Sequence, residues 1–335
     1  MSDAARGDAA EGEAAPADAA AGGPAPAFRP TADAFDPRRT RGRGPADAWR
    51  AFVTATRLGW QMEANWTDPI LFFIYSVAKP LASTLIFVVM IEVIGGATTR
   101  EFRAFVIVGT ALWAFVVSGI SGLGQAILED RERYRMLKYV YVSPSDFFVV
   151  LVGRGIARIA VGAMAALITV GVGIAALGVP FDPARIHWPL LVAVMVLGLF
   201  TVVAIGVTMA AVCIQTRQEA WSYPEALAGA LFLLTGAVFP LSVLPGPVQV
   251  LGWLTPLTWW IEGTRQALFP GGVSGIGGPG SLFEQLSGTL APGPILIGVA
   301  LLGTGALCTL AAAVVFQRSE HRAKDRGLLD QTSGS

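Results

Sequence analysis

The chain has 335 residues, of which 53% are apolar and 14% charged, and its 24 Lys and Arg balance 24 Asp and Glu. Soluble domains carry roughly 25% charged residues, and the apolar residues here collect into runs near the roughly 20 residues that cross about 30 Å of hydrocarbon. These figures exclude a soluble core. With Cys213 and Cys308 both inside apolar runs, they also exclude a disulfide framework.

Residues 1–45 are rich in Ala, Pro, Gly and Asp, show no cleavable signal peptide and read as a disordered cytoplasmic tail. Residues 46–65 are predicted as a helix. Trp49, Phe52, Val53 and Trp60 gather on one side of it, and Arg50, Arg57 and Gln61 on another. That pattern suits a helix lying in the membrane interface, or alternatively one packed on other protein.

Asp68-Pro69 breaks the chain before a first span over about 70–94. Lys79 and Pro80 fall inside it. The proline predicts a kink. The lysine faces water, a cavity or another helix, or else snorkels to the surface. A second span, about 104–127, ends in Ser118, Gly119, Ser121, Gly122 and Gly124, small residues that let helices approach closely.

Then comes a charged island, Glu129, Asp130, Arg131, Glu132, Arg133, Tyr134, Arg135, Met136, Leu137 and Lys138. So many charges cannot lie in hydrocarbon, so the island faces an aqueous compartment. A third span covers about 147–177, with Arg154 and Arg158 one turn apart and placed to snorkel or to pair with acids. A fourth covers 190–214 and a fifth 221–238. Glu225, just inside the fifth, suits either a substrate or proton site or a shallow structural acid.

Residues 239–270 are too apolar for an ordinary loop, and Pro240, Pro245, Pro247 and Pro256 cut them into pieces too short to cross. They predict re-entrant or interfacial helices, with Trp253, Trp259 and Trp260 in an aromatic belt. Glu262 and Arg265 are spaced to pair on a helix. Residues 271–294 read as a Gly-rich flexible connection to a last span over 294–316, followed by a cytoplasmic tail, 321–335.

Six spans place both termini on one side. Putting the island and the basic C-terminal residues on that side leaves Arg100, Arg103, Arg185 and Arg265 opposite, so the positive-inside rule makes the island cytoplasmic.

Enzyme chemistry lacks its residues. Lys79, Lys138 and Lys324 are not preceded by Gly, so there is no phosphate-cradling loop. His187 and His321 are too far apart for a His-rich metal site, and no metal is expected. The expected fold is an all-α polytopic membrane protein with six transmembrane helices, an N-terminal interfacial helix and an extracellular re-entrant pair between helices five and six.

Three stretches in order carry a family resemblance: the helix leading through Asn65, Asp68 and Pro69 to Pro80; ERYRMLKYVYVSPSDFFVVLVG, from Glu132 to Gly153; and Thr235 to Gly271, with Pro256 and Arg265. Over residues 46–320 the chain resembles the permease subunits of type-2 ABC exporters, the group of drug-resistance, polysaccharide-export and teichoic-acid-export permeases.

The resemblance implies a permease in a bacterial cytoplasmic membrane, paired with a second copy or a paralogue and bound to two copies of a cytoplasmic ATP-binding subunit. That subunit would bind ATP and Mg; no cofactor in this chain and no nucleic-acid partner are expected. The island from Glu129 to Tyr141 would be a coupling helix in a groove of the ATPase, anchored by Tyr134, Met136 and Leu137, with the 46–65 helix beside it. Alternating access would export a hydrophobic or amphipathic compound, glycolipid or polysaccharide, and Lys79, Glu225, Pro256, Trp259, Glu262 and Arg265 are candidate path or gate residues. Two other classes compete. An ion-coupled carrier would need inverted repeats and buried ionisable residues, and a membrane enzyme or assembly scaffold would need clustered catalytic side chains.

Overall fold

A computed structural model describes residues 44–65, 70–71, 74, 78–95, 100–143, 145–179, 181–216 and 220–325, apart from some side chains within these ranges, those of Pro80 and Lys138 among them. The N-terminal tail to residue 43 and the Asp68-Pro69 break lie outside the described residues. Among the described residues there is no strand. The helices in chain order are α1 (Pro45–Asn65), α2 (Lys79–Gly95), α3 (Arg100–Leu128), α4 (Leu137–Val142), α5 (Phe147–Ala176), α6 (Trp188–Gln215), α7 (Ser222–Leu234), α8 (Gly246–Leu254), α9 (Pro256–Leu268), α10 (Leu282–Ser287) and α11 (Pro294–Asp325).

Among the described residues, four helical stretches are long and apolar enough to cross a membrane: 102–133, 147–176, 188–215 and 294–323. Leu81–Met90 and Ser222–Leu234 are shorter apolar helices. The chain is an all-α polytopic membrane protein. The apolar window of α3 is 72% buried against 22% for that of α11, so α3 is the centre of the bundle and α11 lies at its rim.

Close approach around α3 depends on missing side chains. A Cβ at Gly119 would stand 2.1 Å from Val202, and one at Gly206 2.7 Å from the Gly119 carbonyl, so α3 and α6 meet nearly backbone to backbone. The small-residue run at the end of the second predicted span therefore packs as expected. In lipid, where burial of apolar surface drives little, this contact density holds helices together. α1 docks on α5 in the same way: a Cβ at Gly59 would lie 2.9 Å from the Arg154 carbonyl, and one at Gly153 2.8 Å from that of Phe52.

α3 and α5 run antiparallel, so the island that joins them marks one end of the bundle and residues 177–187 the other. The short elements differ from the predicted spans in detail. Pro80 is the second residue of α2, close behind a π-helical residue, Ala78, and Ile70, Leu71 and Ile74 before it are helical as well. Most of the turn that would carry the predicted kink lies outside the described residues. Lys79 opens α2 and is exposed.

The fifth predicted span is helical only as far as Leu234, because Gly236, at φ +68°, turns the chain. The Gly-rich connection is packed rather than flexible. Ile276 is fully buried and Phe283 nearly so, and Ser281 caps α10 through the Glu284 N–H at 3.1 Å.

Candidate functional site

The charged island is split between an inward and an outward half. α3 runs on as one π-helical turn, Glu129–Arg133, and the chain then turns at Arg135, whose φ of +50° places a non-glycine residue in the left-handed region. Such a position stores strain of roughly 1–2 kcal/mol. It lets the Met136 N–H reach the Asp130 carbonyl at 2.8 Å before α4 begins. The result is a tight knuckle with α4 as a separate short helix, where one continuous coupling helix was expected.

Asp130 and Arg131 are each 5% exposed, and Glu129 is partly buried. Arg131 turns back into the protein and donates to the Cys213 carbonyl at 3.0 Å and the Thr216 carbonyl at 2.9 Å, the orphan acceptors at the end of α6. A cation there also opposes the negative end of the helix dipole. A second Arg131 amine meets Glu132 at 2.9 Å.

Glu129 and Asp130 meet the two arginines of α5. Arg154 pairs with Asp130 and lies 3.7 Å from Glu129. Arg158 donates to Glu129 at 2.6 Å and to Glu63 of α1 at 3.1 Å. The two arginines thus pair with acids, and three separate helical segments end in one ion network. Buried ions in low dielectric are tolerated only when paired and multiply hydrogen-bonded, and this arrangement ties α1, the island and α5 to one another.

Glu63 had not been singled out. Its signal is Ala55, Gly59 and Glu63, spaced by helical turns on one face. That face lies against Gly153, Arg154 and Ala157 of α5.

The outward half is Glu132, Arg133, Tyr134 and Arg135, all exposed, with Tyr139 68% exposed on α4. The Arg133 guanidinium lies 5.6 Å from the Tyr134 ring centre, within cation–π range. Met136 is half-buried. Leu137, expected to anchor a partner, is 2% exposed and packs with Ile127, Phe147, Leu151 and Ile214, so it anchors the island to its own bundle. The Lys138 side chain lies outside the described residues.

On α1, Trp49, Val53, Arg57 and Trp60 are exposed, Phe52 is half-buried with its ring stacked on Trp49, and Ala55 and Gly59 form the docked face.

The remaining candidates sit apart from this cluster. Glu225 is exposed in the first turn of α7, where a carboxylate favours the positive end of the helix dipole. At the far end of the bundle, α9 is almost wholly buried. Pro256 opens it, and the Trp259 indole donates to the Trp253 carbonyl at 2.7 Å.

The hydrogen bonds of Glu262 and Arg265 go elsewhere than to each other. Glu262 accepts from the Gly275 N–H at 2.6 Å and the Ser274 hydroxyl at 2.6 Å. Arg265 donates to the carbonyls of Phe105, Gly236 and Ala237 at 3.2, 2.8 and 2.6 Å, and its guanidinium lies 3.5 Å from the Phe105 ring centre. These two charges pin the turns after α7 and α9 onto α3.

A family model for the ABC-2 type transporter matches residues 52–269, from the docked face of α1 through the island to the end of α9. The chain belongs to the ABC-2 type transporter family. No match was found among curated proteins. An ABC-2 membrane domain is a transport permease domain, not a catalytic one, and membership implies association with an ATP-binding subunit and with the membrane. In this permease the matched segment contains both ion clusters, one at each end of the bundle.

Proposed function

We propose that this chain is the membrane-spanning half of an ATP-driven exporter, acting as a pair with a second copy or a paralogue and driven by two cytoplasmic ATP-binding subunits that hold ATP and Mg. The pair would move a hydrophobic or amphipathic compound, glycolipid or polysaccharide out of the cytoplasm by alternating access. The island end and both termini would face the cytoplasm of a bacterial cell.

One observation carries the reading: the island is exposed outward at Glu132, Arg133, Tyr134 and Arg135, while Glu129, three residues before Glu132, is bonded through Arg158 to Glu63 of α1. A partner pressing on the outer surface pushes on the end of α3, the centre of the bundle, and on α1 and α5 through the ion network. Tyr134 and Tyr139 offer aromatic contact area and Arg133 and Arg135 offer charge, the composition expected at an interface hot spot. The anchors are thus Tyr134 and Tyr139, with Asp130, Arg131 and Leu137 left to internal structure.

Disulfide or short-linker cross-linking of the co-expressed complex tests this reading. Arg135→Cys and Tyr139→Cys are expected to cross-link to the ATP-binding subunit, and Leu251→Cys, exposed at the opposite end, is not. Cross-linking from Leu251→Cys alone would reverse the orientation and remove the docking site.

A further inference from the structure

A cavity of about 430 Å³ opens between the end of α1 and helices α2, α3, α5 and α7, graded from polar to aromatic. Glu63, Lys79 and Thr84 are among its polar lining, and Phe87, Trp113 and Phe232 form an aromatic wall. The Trp113 and Phe232 rings are 5.0 Å apart, and Phe87 and Phe232 6.2 Å.

Most of the polar groups are already satisfied within the protein. The Thr84 hydroxyl donates to the Thr110 hydroxyl at 3.1 Å, which donates to the Val106 carbonyl at 2.8 Å. Glu63 accepts from Arg158 at 3.1 Å. Lys79 is different. It is the cation among the described lining residues, it is exposed, and among the described residues no carboxylate pairs with it.

An ammonium beside an apolar wall calls for an anion, and the volume falls in the range of roughly 300–1,000 Å³ that holds one compact ligand. We propose that this cavity binds a compact anionic amphiphile, with its acidic group against Lys79 and its apolar or aromatic body between Phe87, Trp113 and Phe232. Insofar as the bound amphiphile is cargo, this rests on the export reading and narrows its substrate class.

Ser118 and Val161 also line an adjoining cavity of about 290 Å³ that reaches Glu129 and Arg158, and Glu63 borders both. Glu63 thus borders the cavity proposed for the ligand and also belongs to the network that ties α1 to the island.

The test uses the permease with its ATP-binding subunits in lipid discs and a benzophenone-bearing fatty acid, alongside its amine and alcohol analogues. After irradiation, the carboxylate probe is expected to label peptides carrying Phe87, Trp113 or Phe232. Labelling is expected to fall about tenfold in Lys79→Ala, the loss of one charge-assisted hydrogen bond, and to persist in Lys79→Arg. Equal labelling by the amine probe, no change in Lys79→Ala, or labelling confined to Leu85, Ile86 and Val89 on the exposed face of α2 would each overturn the proposal.

Discs of phosphatidylcholine with and without phosphatidylglycerol identify the source of the anion. Competition by phosphatidylglycerol assigns the site to a bilayer lipid, and its absence to a soluble amphiphile; both support an anion site. Labelling needs no ATP hydrolysis, so the two readings fail separately. ATPase coupling without cavity labelling sinks this proposal alone, and cavity labelling without an ATPase partner sinks the export reading alone.

Discussion

The two ends of the bundle both bury arginine, but they satisfy it differently. At the far end Arg265 is bonded to three backbone carbonyls and stacked on Phe105. At the island end Arg131 also reaches backbone carbonyls, but Arg154 and Arg158 bond to the side chains of Glu63, Glu129 and Asp130, which come from two other helical segments. Carbonyls are fixed by the fold, so the far end is a pinned structure with one arrangement. Carboxylates move with their rotamers, so on the proposed function the island end is the part suited to exchange partners as helices shift. On that same reading, the asymmetry supplies a joint where force would enter and a fixed frame where the far-end turns close over α3.

The sharpest way to break the comparison is Arg265→Ala. It removes the donor to three backbone carbonyls and leaves Glu262 without its neighbouring opposite charge, and the loss is expected on the order of 3–5 kcal/mol. Thermal unfolding of the purified permease measures it, and a shift no larger than that of a surface variant would show the far end is not pinned by this residue.

Arg154→Ala should cost less, about 2–3 kcal/mol, because Arg158 remains to hold Glu129. If the carboxylates are the cause, adding Asp130→Asn to Arg154→Ala recovers part of that loss in the same measurement. A double variant that loses the full sum of both single changes would mean the pair is not coupled.

The smallest effect on stability is expected on the outer face of the island. Arg133 and Arg135 are exposed, and exposed ion pairs contribute about 0–1 kcal/mol. Their replacement should leave unfolding unchanged while altering what docks there.

The long helices were legible in the sequence because runs near 20 apolar residues have few alternatives, and four of the six predicted spans are long crossing helices. The short pieces were harder. Thr235 to Phe239 is as apolar as a span, and only Gly236 at positive φ ends the helix before it. The 271–294 connection looked flexible because glycine dominates it, yet the buried Ile276 and Phe283 pack it down.

In the island, charge correctly placed the segment outside hydrocarbon but hid its two halves. Nothing in EDRER distinguishes Arg131, which caps α6, from Arg133, which is exposed. The distinction arises from the π-helical turn, which rotates Asp130 and Arg131 inward, and residue types alone do not reveal such a turn.

On the proposed function, the outer half of the island is the docking surface while the inner half holds the bundle. Arg133→Glu combined with Arg135→Glu, co-expressed with the ATP-binding subunit, measures this directly through co-purification and ATPase rate. The expected result is a permease with an unchanged melting transition that no longer retains the subunit or alters its ATP hydrolysis. Full retention with wild-type ATPase activity would contradict it.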